Sequence, residues 1–378
     1  MKTSHPLRIA IAGAGSAGLL TALLLQRQGH RVTLLERAQR PRTEGCGILL
    51  VSRGVQAVAE AGVPGLVEQL IEAGAPVQRF HVRNLQGSSI EVADAAQDPD
   101  LPSSLLIRRA AILEVLWLQL DPSCFLGGAS LVHCQQHENG VEVQLADGQT
   151  WSGDLLIGAD GLFSRVAAAV APERRLHYLG DRVWRGVVAD PEGFCGPGDF
   201  YVYARGRGIY ANYFHLGPDA EGIPQTHWGF FQEEELPTNR SLQKQLLQEP
   251  IPPDALAKLC PLAASLIAST PIEQVVANWS YDIDPLPRLV NGSIALIGDA
   301  AHAMSSSQAR GMTAGLEDAV CLARCLEASA ADPRAALEAY ASERLPVVHG
   351  YQQRSRDVSS RIGRRRPRSA SPAPQQVA

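Results

Sequence analysis

No stretch of this chain is both apolar and long enough to cross a bilayer as a helix. The one candidate, residues 9–25, is broken by glycines, has a thin basic flank and falls short of the roughly 20 residues a span requires, so neither an integral membrane segment nor a signal peptide is expected. Charge of one sign is missing too. A net charge of -5 and a pI near 6.1 give no general attraction to nucleic acid or anionic lipid. The seven cysteines are odd in number and include no C-x-x-C pair, only Cys321 and Cys325 at helical spacing. Reduced thiols in a cytoplasmic protein are expected, not a disulfide frame or a metal site. No G-x-S-x-G elbow and no convincing triad offers nucleophilic chemistry. What remains is a 378-residue chain, 45% hydrophobic, with enough length for two domains and a small molecule as its expected partner.

Glycine, by contrast, is plentiful and placed. Gly13-Ala14-Gly15-Ser16-Ala17-Gly18 follows a short apolar run at 9–12 and opens a segment carrying Leu19, Leu20, Leu23 and Leu24. The order is strand, tight turn, helix. Gly13 lets the turn form, Gly15 lets backbone approach a pyrophosphate and Gly18 lets helix pack on strand, while the helix start offers free N–H groups and positive dipole to phosphates. The helix stops at Gly29, a C-cap residue. A second strand at 31–35 delivers Glu36, where an acid accepts hydrogen bonds from a ribose diol and disfavours a 2′-phosphate. These residues predict a dinucleotide site.

Further along, a loop at 42–47 places Cys46 between Gly45 and Gly47, close to the cofactor by position, although a small buried residue is the simpler reading. Residues 79–85 and 88–93 alternate around Gln86-Gly87 as a hairpin. Strands at 131–133, 141–145 and 149–151 form an antiparallel set turned by Asp147-Gly148. From about 177 to 281, alternating aromatic-rich runs at 183–188, 200–203, 209–215 and 226–231, with helical stretches at 242–247 and 254–268, predict an antiparallel sheet covered on one face. A strand at 293–297 resumes the parallel pattern, and helices at 311–327 and 333–355 close the fold. The expected class is α/β: a discontinuous Rossmann-like nucleotide domain (1–175 plus 285–360) with an inserted antiparallel substrate domain (176–284). The tail at 361–378, with Arg364-Arg365-Arg366-Pro367-Arg368, cannot bury enough apolar surface and is expected to be a disordered basic end.

Two more fingerprints follow the first in fixed order, Gly158-Ala159-Asp160-Gly161 and Gly298-Asp299-Ala300-Ala301-His302, and Tyr340, Arg344 and Pro346 fit a late Y-x-x-x-R-x-P pattern. With these, residues 7–355 resemble the group A FAD-dependent aromatic hydroxylases related to para-hydroxybenzoate hydroxylase. The resemblance implies FAD as cofactor, held by Gly13, Gly15, Ser16, Ala17, Gly18, Glu36, Arg37, Gly47, Arg109, Asp160, Gly298, Asp299, Gly311, Met312 and Thr313. It implies NADH or NADPH as transient donor, and O2 and an aromatic or heteroaromatic small molecule as substrates joined through a C4a-hydroperoxyflavin. No catalytic group is then required of the protein. Independently, a helix starting near Gly311 would point N–H groups and dipole at the negative charge of a reduced flavin. Other FAD chemistry on the same fold, such as epoxidation, Baeyer-Villiger insertion or oxidation without oxygen transfer, stays open, as does a non-catalytic flavin-binding partner.

The chain departs from the family pattern twice. Ala167 stands where an arginine usually follows the second motif, which weakens the link to a nicotinamide donor. Ser306 replaces a proline and Ala309-Arg310-Gly311 replaces Gly-Gln-Gly in the third. Arg310 either steadies a flavin anion or clamps an acidic substrate, or else is a solvated rim residue. Substrate-facing candidates from the aromatic strands are Tyr201, Tyr213, His215, Trp228 and Phe230, each with ordinary sheet packing as the alternative, and Arg185 as partner of a substrate anion, with plain surface exposure as its alternative.

Overall fold

The computed structural model describes residues 5–40, 45–95, 98–138, 140–204 and 208–360. Residues 42–44 of the expected glycine/cysteine loop and the whole basic tail lie outside the described residues.

Strands Arg8–Ala12 and Leu155–Gly158 are buried almost throughout, as expected of parallel strands covered on both faces. They pair with each other, and each has a second parallel partner: Arg31–Glu36 on one side, Ile294–Leu296 on the other. Phe125–Gly127 extends the sheet in parallel at one edge and Val290–Asn291 antiparallel at the other, giving six strands. Because Leu156 pairs with Ile294, all the chain between those strands leaves the sheet and returns to it. The nucleotide fold is thus interrupted in sequence and continuous in space. All three glycine motifs consequently sit at the carboxyl ends of adjacent parallel strands, where open α/β sheets bind ligands.

The second large sheet has seven strands in the order Val276–Ile283, Leu176–Ala189, Pro224–Glu233, Ile209–Pro218, Asp199–Ala204, Arg79–Arg83, Ser89–Asp94. The hairpin of the last two strands comes from early in the chain and joins by a parallel pairing of Arg79–Arg83 with Asp199–Ala204. One face of the sheet carries Trp184, Tyr203, Tyr213, Trp228 and Phe230, which form a separate core with Ala263 and Ile267 of the helix Pro261–Ala268. The other face looks onto the glycine motifs. The helical stretch expected at 254–268 is two helices, Pro253–Leu256 and Pro261–Ala268. Pro261 cannot continue a preceding helix and instead begins a new one.

Helices Ser16–Arg27 and Arg310–Ala328 pack through small residues: a Cβ added at Gly315 would stand 3.1 Å from that of Ala17. The last helix, Pro333–Ser359, lies behind them.

Candidate active site

A cavity of about 920 Å³ runs from the first glycine turn, along the ends of the parallel strands, to the open face of the seven-stranded sheet. That size lies within the usual range of ligand pockets. Gly13, Gly15, Ser16, Ala17, Glu36, Arg37, Gly47, Arg109, Asp160, Gly298, Asp299, Gly311 and Met312 all line it. Gly18 and Thr313 do not. A Cβ on Gly18 would run into the carbonyl of Gly13, so its role is helix-on-turn packing, and Thr313 is fully buried beside Gly54.

The first turn has the form its sequence requires. Gly13 has φ +104°, and a Cβ there would collide with the Ala159 carbonyl of the second motif. At Gly15 a Cβ would meet nothing within 4 Å, and this residue lines the cavity at the start of helix Ser16–Arg27. A glycine open to the cavity beside unpaired N–H groups is a cradle for a pyrophosphate. Glu36 closes the turn from the next strand, its carboxylate accepting from the N–H groups of Ala14 and Ala38, both at 3.0 Å.

In the second motif, Asp160 caps its own loop. Its carboxylate accepts from Ser164 Oγ at 2.5 Å and from the Arg165 N–H at 2.7 Å. Ala167 is buried at the start of a short helix, and its N–H is received by Ser164 Oγ. Arg174 donates to the carbonyls of Leu162 and Asp299 at 2.7 and 3.2 Å and so ties the second motif to the third. Burial lowers its pKa, against the raising fields of Asp160 and Asp299.

The third motif is braced from behind. The N–H of Gly298 donates to Asp318 Oδ2 at 2.9 Å, the same oxygen stands 2.6 Å from His302 Nε2, and Arg344 Nε donates to Oδ1 at 2.8 Å. Burial alone would raise the pKa of Asp318, but the charges of His302 and Arg344 and these hydrogen bonds hold it below the usual value. Tyr340 donates its hydroxyl to the Leu296 carbonyl at 2.8 Å. The late Tyr-Arg pair thus fixes the strand end and turn that present Asp299 to the cavity. Beyond it, Ser305, Ser306, Ser307, Gln308 and Ala309 line the cavity. Arg310 does not: its guanidinium lies over the Tyr351 ring, 5.4 Å from the centroid, because the first helical turn directs the side chain toward the last helix. Arg310 is therefore not among the residues that the structure brings to the cavity wall.

On the sheet side, the cavity face carries Arg185, Phe200, Tyr210, Asn212, Phe214 and His227, with Phe231 beside them. Tyr201, Tyr213, Trp228 and Phe230 alternate with these and point into the opposite core; Tyr213 donates to the Ala263 carbonyl and Trp228 to Thr270. His215 does not line the cavity either. Of the expected substrate residues only Arg185 faces it. The bulky apolar side chains went under the helices, and a one-residue step along a strand selects the other face. The overlooked signal was polarity: in three of the four runs the alternate set holds a residue unsuited to a sealed core, namely Arg185, Asn212 or His227.

His227 is buried and accepts the Gly47 N–H on Nδ1 at 3.1 Å. Burial, with the positive charge of Arg185, lowers its pKa to about 3, so the imidazole is neutral. Cys46 is half-buried and lines the cavity. All seven cysteines are free. Among the described residues one grouping, Cys321, Cys325 and Glu343, has potential ligand atoms within 4.8 Å, but Arg324 already pairs with Glu343 and burial pushes the Cys321 thiol up. No helix among the described residues is long and apolar enough to cross a membrane.

Residues 7–355 match the family model described as an FAD binding domain. The chain is 33% identical over 364 residues to the aurachin C monooxygenase/isomerase of Stigmatella aurantiaca, covering 93% of this chain and 88% of that protein. It is 29% identical over 367 residues to the 6-hydroxynicotinate 3-monooxygenase of Pseudomonas fluorescens, covering 93% and 90%. The crystal structure of Klebsiella pneumoniae HpxO with FAD and uric acid has a TM-score of 0.79 at 23% identity, covering 95% of this chain and 89% of that one, which speaks for a shared fold.

Proposed function

This chain belongs to the FAD-binding family of flavin-dependent monooxygenases, and on that premise we propose that it transfers one oxygen atom from O2 to an aromatic or heteroaromatic small molecule, with NADH or NADPH as electron donor. The observation that carries this reading is the single cavity joining three glycine motifs to the polar and aromatic face of a sheet. Residues at its two ends suit different tasks. The Gly13–Ser16 turn and its helix start would hold a pyrophosphate, Glu36 a ribose, Arg109 and Asp299 the chain toward the ring, and the start of helix Arg310–Ala328 would face the ring itself. Bound there, FAD supplies the redox and oxygen-transfer chemistry. The protein supplies position and dryness: Phe200, Phe214 and Phe231 exclude water, and neutral His227 fastens the Gly47 backbone to the sheet. In this reading 1–175 with 285–360 hold the cofactor, 176–284 with the hairpin at 79–94 cap it, and the free thiols fit a cytoplasmic location.

The test is to load the purified protein with FAD, screen hydroxylated and carboxylated aromatics for stimulation of NAD(P)H oxidation, and analyse products by mass spectrometry under labelled O2. Incorporation of one labelled oxygen atom is expected. Failure to retain FAD, or stimulated oxidation that yields only peroxide with every aromatic, overturns the reading.

A further inference from the structure

Helices Arg310–Ala328 and Pro333–Ser359, which brace the third motif through Asp318 and Arg344, meet again further along. Cys321 lies about one turn beyond Asp318 and Cys325 about one turn beyond that, so the two thiols share a helix face. From the facing helix comes Glu343, the residue before Arg344. The two sulfurs and a Glu343 carboxylate oxygen all lie within 4.8 Å of one another, the one such grouping of three histidine, cysteine or acidic side chains among the described residues. Sequence spacing offers only the two thiols; the third donor arrives with the packing of the last helix.

The surroundings suit a cation with an affinity for sulfur. Cys321 and Cys325 are buried whereas Glu343 is half-exposed, so the donors open to solvent on the carboxylate side. The thiol of Cys321 hydrogen-bonds to Glu343, and Arg324 Nη2 donates to both carboxylate oxygens at 2.5 and 2.6 Å and to Cys321 Sγ at 3.5 Å. That ion pair is no barrier, because exposed pairs contribute little to stability. Burial, which pushes the Cys321 thiol up, disfavours a free thiolate but not one bonded to a metal. Charge is balanced as well: a dication with two thiolates and one carboxylate is left with one negative charge, which the released Arg324 guanidinium offsets.

We propose that Cys321, Cys325 and Glu343 form a binding site for a thiophilic divalent cation of the Zn2+ and Cd2+ class. On binding, both S–H bonds break, the protons pass to solvent, two metal–sulfur bonds and one metal–oxygen bond form, and a water completes a tetrahedral set. No oxidation state changes. Bonds of about 2.3 Å to sulfur and about 2.1 Å to oxygen place tetrahedral ligands roughly 3.5–3.8 Å apart, so the three donors close in by about an ångström, within reach of side-chain rotation. Mg2+ and Ca2+ are poor fits, since they take oxygen ligands. The occupied site clasps the two helices at a second point, beside the brace. Tyr340, which holds the Leu296 carbonyl, lies close enough for Asp318, Cys321 and Cys325 all to act on its hydroxyl. The ion therefore stabilises the helix pair that presents the third motif. Because neither cysteine nor Glu343 lines the cavity, the inference goes beyond the monooxygenase reading and does not depend on it.

The FAD-loaded full-length protein, reduced with a non-chelating phosphine, is titrated with Cd2+ and followed by the ultraviolet charge-transfer absorbance of cadmium–thiolate bonds. Saturation at one ion per chain is expected, with competition by Zn2+, none by Mg2+ or Ca2+, and a higher melting temperature for the bound protein. C321A and C325A each weaken binding by more than about 100-fold and E343Q by about 10-fold, while C134A, at a buried thiol outside the site, leaves it unchanged. Cadmium NMR of the wild-type complex reads mixed sulfur and oxygen ligation directly, and gives the answer should a variant fail to fold. Absence of the charge-transfer band, a band undiminished in C321A or C325A, wild-type affinity in E343Q, saturation only above one ion per chain, or a cadmium resonance without two sulfur ligands overturns the proposal. No step of the titration measures oxygen transfer, so its failure and that of the monooxygenase reading are separate results.

Discussion

Ala309 is the one non-glycine residue with positive φ among the described residues, at +53°, in the position that caps the 19-residue helix Arg310–Ala328 and lines the cavity. An L side chain there is strained by about 1 kcal/mol or more, and strain of this kind gathers at functional sites. Ala309→Gly is expected to stabilise the protein by about 1 kcal/mol, read as an increased denaturation midpoint; a lower midpoint would show that the alanine methyl group packs usefully. His227 gives a residue-scale prediction in pH. Its pKa is depressed in the fold from 6.5 to about 3, so the stability it contributes is complete above about 6.5 and is lost as pH falls toward 3, because the unfolded chain takes up the proton first. His227→Asn keeps an acceptor for Gly47 but does not titrate, and should flatten the fall in urea midpoint across that window. An unchanged slope would place the titrating group elsewhere.

Elements meet at Asp318, whose carboxylate joins the turn at Gly298, His302 and the last helix through Arg344. The late Tyr-x-x-x-Arg pattern is legible in sequence, but its purpose is not, since Asp318 belongs to no motif and is brought to Arg344 only by packing of two helices. Removing one partner of a buried ion pair leaves the other uncompensated. Arg344→Leu is expected to cost about 3–5 kcal/mol and to loosen FAD together with the Gly298-Asp299 turn, measured by unfolding and by FAD titration. A variant with wild-type stability would mean the network is dispensable. The depressed pKa of Asp318 makes its contribution present above the ordinary carboxylate value and lost as pH falls from there through its lowered folded value, so its loss begins only near the acid end of the His227 window.

At the scale of the molecule, two cores face each other across the cavity, one within the nucleotide fold and one under the outer face of the large sheet. The nucleotide fold meets the cavity face of the sheet at places such as Gly47, where a Cβ would stand 2.6 Å from the Phe214 ring and 2.8 Å from His227 Cβ. A ligand that spans the cavity links the two halves, so FAD at a hundred times its Kd should add about 2.7 kcal/mol of stability, seen as a higher melting temperature. Gly18→Ala, which drives a methyl group into the Gly13 carbonyl, should abolish most of that gain; an undiminished shift would show that the first turn is not where FAD is held.

The parallel strands, their order of motifs and the first turn were legible in the sequence because each follows from local chemistry: apolar runs for strands buried on both faces, and glycines where a Cβ would strike backbone. Which face of each aromatic strand meets the cavity was decided only in the tertiary structure. Alternation has period two and carries no sign, so Trp228 and His227 are equivalent until the helices at 253–268 cover one side and claim the larger side chains. The placement of Arg310 over Tyr351 has the same origin, since it depends on what a distant segment brings to a side chain whose neighbours in sequence say nothing about its partners.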